Sequence, residues 1–247
     1  MRSRTANVAL IVALIAIFGG VALAALVAMQ APSLDPATGC LDEGVSAETV
    51  VLIDASDPIP APLAPSVLRI VASAALRGGP ETRLRLFLLG GDDAVDLIEL
   101  DAFCNSLSAG SGGSVYRDRV HREFEARLKA GFETARNGQR TASPILEASE
   151  RLKSRPGIVE VQHRNLILIS DLLQNTARVS FYPGEPAYTR PGPGRVSRTK
   201  SEAPFWQTVS IVELQRPSVR HLQSKRLRQF WISWFDRDAG HVALTRL

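Results

Sequence analysis

The sequence predicts an α/β fold: a mostly parallel sheet with helices on both faces in three layers, preceded by one N-terminal transmembrane helix. Three observations carry this expectation. Continuous apolar runs such as Val50-Val51-Leu52-Ile53 and Leu166-Ile167-Leu168-Ile169 are typical of strands buried on both faces. These runs alternate with segments of helical periodicity. The 22 residues from Val8 to Met29 carry no charge at all.

Taken in order, residues 1–7 hold Arg2 and Arg4, and the uncharged run at 8–29 comes next. A helix of that length spans a hydrocarbon core of about 30 Å. Asp35, Asp42 and Glu43 lie beyond it, so the positive-inside rule leaves the short basic end in the cytoplasm and sends the rest across. A retained signal-anchor is the expectation. The alternative is a signal peptide cleaved at Ala22-Leu23-Ala24, which also exports the remainder of the chain. Residues 30–47 read as a linker, with Pro32, Pro36, Gly39 and Gly44 and no periodicity. In an oxidising compartment two lone cysteines often pair. A Cys40–Cys104 bridge would tie this linker to the domain at 48–247, and unpaired structural thiols are the other reading.

Within the domain, Thr49–Ile53 is the first strand, ending at Asp54. Leu63, Val67, Ile70, Val71 and Ala74 share one helical face, and Gly78-Gly79 supplies the stop. Arg83–Leu89 is a second strand, and AVDLIEL (94–100) comes after a short turn as its hairpin partner. A long amphipathic helix runs through Val120, Phe124, Leu128 and Ala135. Ser143-Pro144 opens another, with Ser143 as N-cap. Leu166–Ser170 is the next strand, ending at Asp171, and Val209–Leu214 is the last. A final helix carries Leu222, Leu227, Phe230, Trp231, Trp234 and Phe235 on its apolar side. Its basic residues, Arg216, Arg220, Lys225, Arg226 and Arg228, read as a solvated face. Residues 176–204 are rich in Pro, Gly and Arg and read as a long flexible insertion, the alternative being a partner-binding loop.

Composition excludes several classes. With 45% apolar and 22% charged residues, the 247-residue chain is neither disordered nor polytopic. Two cysteines are too few for a disulfide scaffold, and His121 and His163 have no cysteine or histidine partner at zinc-ligand spacing. Of the net charge of +4, Arg2 and Arg4 account for two, so nothing points to nucleic acid.

Two apolar runs end in aspartate, and ligands of open α/β sheets gather outside the carboxyl ends of strands. Asp54, Ser56, Thr141 and Asp171 offer oxygen atoms only, the donor set that suits magnesium. This order of elements resembles the von Willebrand factor A (vWA) domain, itself Rossmann-like. Its metal-ion-dependent adhesion site combines Asp-x-Ser-x-Ser after the first strand, a later threonine and a strand-end aspartate. Here the first motif reads Asp54-Ala55-Ser56-Asp57-Pro58, with proline in place of the second serine. Gln139–Ala148 is similar to the threonine loop and its helix, and Leu168–Asn175 to the last motif, although Leu172 stands where a glycine is common. AVDLIEL is similar to the family's short antiparallel edge strand. The likeness covers roughly residues 48–236. It implies a Mg2+ ion at Asp54, Ser56, Thr141 and Asp171 whose open position takes a partner's carboxylate. A site without metal, its carboxylates held by backbone donors, is the alternative.

No enzyme is expected. Asp54-Ala55-Ser56 lacks the second acid of a phosphotransferase Asp-x-Asp. No Gly-x-Ser-x-Gly elbow, Walker loop or dinucleotide fingerprint comes after a strand. The expected function is that of a single-pass protein of a bacterial inner membrane, with a periplasmic domain that engages a protein partner. A metal-free structural subunit of an envelope assembly is the alternative.

Overall fold

The computed structural model describes residues 15–23, 33–54, 56–90, 96–105, 143–176, 179–182 and 203–247, with positions 122, 123, 126, 129, 130 and 133. Among the described residues there are six strands: β1 (Ala47–Asp54), β2 (Thr82–Gly90), β3 (Asp96–Cys104), β4 (His163–Ser170), β5 (Trp206–Glu213) and β6 (Ala239–Arg246). They form one sheet in the order β3-β2-β1-β4-β5-β6. All neighbours are parallel except β2 and β3. β3 is thus the antiparallel edge strand that the vWA resemblance implies.

Helices lie on both faces, as the continuous apolar runs require. Even-numbered residues of β1 and β4 (Val50, Leu52, Leu166, Leu168) share one core with α2 (Ile145–Leu152) and α3 (Lys225–Phe235). The odd-numbered set (Val51, Ile53, Ile167, Ile169) packs with α1 (Ala64–Arg77) on the other face. α1 buries Val67, Val71, Ala74 and Ala75 and ends at Gly78, as its periodicity predicts. α3 is capped by Ser224, whose side chain accepts from the Leu227 N–H, and it buries Leu227, Trp231 and Phe235. Among the described residues, the mixed sheet with helices on both faces is a vWA-like arrangement.

Several expectations need amendment or fall outside the described residues. The apolar pattern does not predict β6, because only one side of it is covered: Gly240, His241, Ala243 and Thr245 are exposed, while Val242 and Leu244 are half-buried against the core. Ser143 does not cap α2; Pro144 takes that position without a side-chain bond, and the Ser143 hydroxyl is used elsewhere. The helix expected through Val120, Phe124, Leu128 and Ala135 lies, at those residues, outside the described set. The 30–47 linker is structured from residue 33 on. Leu34 bridges to Leu41, the Leu41 N–H donates to the Pro80 carbonyl, and a Cys40–Cys104 disulfide joins the segment to the end of β3.

The 176–204 segment also starts inside the fold. Phe181 is buried, with its ring edge-on to Phe230 at 5.4 Å, while residues 183–202 are outside the described set. Residues 15–23 are helical and their apolar side chains are exposed, Phe18 at 69%. The rest of Val8–Met29 lies outside the described set, and among the described residues no helix is long and apolar enough to cross a membrane.

Candidate functional site

The carboxyl ends of β1 and β4 lie side by side, with Ile53 opposite Ile169, so the next residues bring Asp54 beside Ser170 and Asp171. Both aspartates are 2% exposed. A charge that deep is tolerated only when donors surround it.

Asp54 has them. Its Oδ1 accepts the Ser56 N–H at 3.0 Å, an Asx turn that folds the chain back after the strand. Its Oδ2 accepts two hydroxyls, Ser143 Oγ and Ser170 Oγ, each at 2.8 Å. Ser143 is aimed by a reciprocal backbone pair with Asn175, at 2.9 and 3.0 Å. The buried Gln174 secures the same junction. Its Oε1 accepts the Leu146 N–H at 3.0 Å, and its Nε2 donates to Glu147 at 2.8 Å.

Asp171 is held differently. Its Oδ1 accepts the Leu173 N–H at 3.0 Å, while Oδ2 faces the Arg216 guanidinium, with Nε 3.0 Å away. That contact is an ion pair by distance, but the N–H is not directed well enough to count as a hydrogen bond. Arg216 also donates to the carbonyls of Pro58 at 2.9 Å and Asp57 at 3.1 Å. Gln223 completes the frame, donating to the carbonyls of Asp171 and Leu214 and accepting the Arg216 N–H.

The turn between these donors is strained. Leu172 has φ +68°, the left-handed region that costs a non-glycine residue about 1–2 kcal/mol. Three contacts hold it there. Its N–H donates to Ser170 Oγ, its carbonyl accepts Trp231 Nε1 at 2.9 Å, and its side chain is fully buried.

Burial, and then the Asp54 charge, push the Asp171 carboxyl up to about 7; the Leu173 N–H and Arg216 pull it down, and Asp57 adds to the rise. The Tyr182 phenol at the rim is pushed up to about 12 by burial and by Asp171, Asp57 and Asp54. Because the folded-state value of Asp171 lies above the unfolded one, the folded chain keeps a proton that the unfolded chain releases between about pH 4 and 7. Its contribution to stability is therefore complete below about pH 4 and is lost as pH rises through about 7, by at most about 1.4 kcal/mol per unit. Melting Asp171→Asn beside the wild type from pH 5 to 8 is expected to show the wild type losing ground to the variant. A constant difference across that range would contradict the assignment.

Of the four residues expected to hold Mg2+, Asp54, Ser56 and Asp171 come together at the sheet edge. Thr141 lies outside the described residues. The described residues do not fit a resident divalent ion. Both Asp54 oxygens are engaged by three donors of the chain, and the Asp171 oxygen that lacks a hydrogen bond faces a guanidinium. At an effective dielectric of 20, a divalent ion about 4 Å from that guanidinium would meet roughly 8 kcal/mol of repulsion. Among the described residues, no group of three or more His, Cys, Asp or Glu side chains is arranged to hold a metal.

Sequence reasoning misses Ser143, Ser170, Arg216 and Gln223 as site residues. Ser170 is within its reach as the neighbour of Asp171. Arg216 is hidden in a basic run assigned to a solvated helix face, and that assignment fails at two positions. Arg216 turns inward to Asp171, and Arg228 lies 3.4 Å from the buried Glu213.

Among solved structures, the chain is similar to the VWA domain of SpRpn10, with 10% identity over 82% of this chain and 89% of that one and a TM-score of 0.42. It is also similar to BatB of Bacteroides thetaiotaomicron, a conserved hypothetical protein, with 10% identity over 83% of this chain and 90% of that one and a TM-score of 0.39. No family model and no curated protein matches the chain.

Proposed function

We propose that this chain is a non-enzymatic protein-interaction domain held at a bacterial inner membrane by its N-terminal apolar helix and displayed in the periplasm. Its strand-end site is metal-free and structural. The observation that carries the location is the Cys40–Cys104 bridge, since such bonds persist in oxidising compartments. The uncharged run behind Arg2 and Arg4 supports the same orientation. A binding role is supported over a catalytic one by the commitments of the buried carboxylates. Asp54 accepts three internal donors, and the two Asp171 oxygens face the Leu173 N–H and the Arg216 guanidinium, so both carboxylates are turned to groups of the chain itself. The same commitments favour the metal-free form over a partner carboxylate docked through Mg2+.

Protease added to intact spheroplasts is expected to degrade the domain, while the untreated full-length chain fractionates with the membrane. Protection of the domain until the membrane is lysed would contradict the orientation. A soluble chain beginning near Ala25 would contradict the anchor.

A further inference from the structure

We propose that Arg216 is the resident cation of the strand-end site: its guanidinium supplies, from within the chain, the positive charge that the carboxylates would otherwise draw from a metal ion. This rests on the metal-free reading above and names the group responsible for it.

Arg216 lies just past β5, yet its side chain is 12% exposed and reaches two other segments. Nε faces Asp171 Oδ2 at 3.0 Å and lies 4.0 Å from Asp57 Oδ2, while the two terminal nitrogens donate to the Asp57 and Pro58 carbonyls. One group thus ties the loop after β1 to the ends of β4 and β5. A planar fork with five N–H donors suits this work, and a lysine point charge would not reproduce it. Pro58 fits the same arrangement. It stands where the resembled motif has a second serine, it offers no hydroxyl, and its carbonyl is turned to the guanidinium. The two aspartates divide the labour. Hydroxyls and a backbone N–H neutralise Asp54 locally, so Asp171 is the carboxylate that requires a cation.

The loss on removing Arg216 then comes from a stranded carboxylate and not from lost packing. The test melts the full-length chain in detergent at about pH 9, where the Asp171 carboxyl is ionised, as wild type, Arg216→Gln, Asp171→Asn and the double variant, each in chelator and in excess Mg2+ or Mn2+. Wild type is expected to melt at one temperature in both conditions. Arg216→Gln is expected to melt about 5–15 °C lower, and adding Asp171→Asn should recover most of that drop. With a packing role alone, Asp171→Asn would not recover the loss caused by Arg216→Gln. If wild type is indifferent to metal while Arg216→Gln melts like wild type, or the double variant loses the sum of the single losses, Arg216 is not the cation. If Mg2+ or Mn2+ raises the wild-type melting temperature, the metal-free reading itself fails.

Discussion

Replacing Cys40 by serine is expected to lower the unfolding free energy by about 4 kcal/mol, the chain-entropy value for the 64-residue separation that the bridge closes. For a domain of this size that is a fall of roughly 8–16 °C in melting temperature. The native side adds little strain to offset it, because the segment is already docked by its backbone. The Cys104 N–H donates to the Thr38 carbonyl at 2.9 Å, and Leu41 is tied to Pro80 at 3.1 Å. Cys104→Ser should give the same loss, and the two losses should not add, since either removes the one bond. The wild type melted in reductant should coincide with Cys40→Ser. A wild type that melts alike with and without reductant would contradict the prediction.

Removing Glu48 is expected to cost as much or more. This carboxylate is fully buried near the amino end of β1, with Arg83 at 2.8 Å and Arg85 at 3.2 Å. Arg85 in turn donates to both oxygens of Glu99 from Nε and Nη2, at 2.7 and 2.6 Å, and Arg155 reaches the same carboxylate at 3.3 Å. Both Arg85 and Arg155 stack over Phe87, 5.0 Å from its ring centre. Burial pushes the Glu48 carboxyl up, against the downward pull of Arg83 and Arg85. Glu48→Ala therefore leaves a mostly buried guanidinium short of a counter-charge and should cost about 3–5 kcal/mol. Glu48→Gln keeps the shape and one acceptor and should cost less. Urea unfolding of the two variants checks the order. A Glu48→Ala loss under about 1 kcal/mol, the level of a surface pair, would contradict it. The same network explains Gly157, whose φ is +82° and whose missing Cβ would stand 3.0 Å from an Arg83 nitrogen and 3.1 Å from an Arg85 nitrogen.

β1, β2 and β4 are legible in the sequence because they are covered on both sides, which forces consecutive apolar residues. α1 is legible by its spacing and its terminal glycine. β6 is not. At the end of the sheet its described side chains pack only toward the α3 face, and Val242 and Leu244, partly buried there, alternate with exposed residues. The acidic strand ends are legible because an aspartate that closes an apolar run places a charge at the rim of a buried sheet, where ligands and buried donors gather.

Their partners are illegible for a different reason. Arg216 finds the Pro58 carbonyl 158 residues away, and no local pattern separates it from the basic residues after it. Ser143 carries a strong local signal as a helix cap, and the buried Asp54 carboxylate overrides that preference. Leu172 adopts a backbone conformation that its residue type disfavours, because full burial of its side chain and the Trp231 hydrogen bond outweigh the strain.

In the proposed arrangement a guanidinium, in place of a metal, answers the charge at this sheet edge. The most direct measurement is a crystal of the domain grown in excess manganese, with diffraction recorded where manganese scatters anomalously. The expected result is no anomalous peak between Asp54 and Asp171, with Arg216 Nε near 3.0 Å from Asp171 Oδ2. A peak between those carboxylates, with the Arg216 side chain swung away, would contradict it.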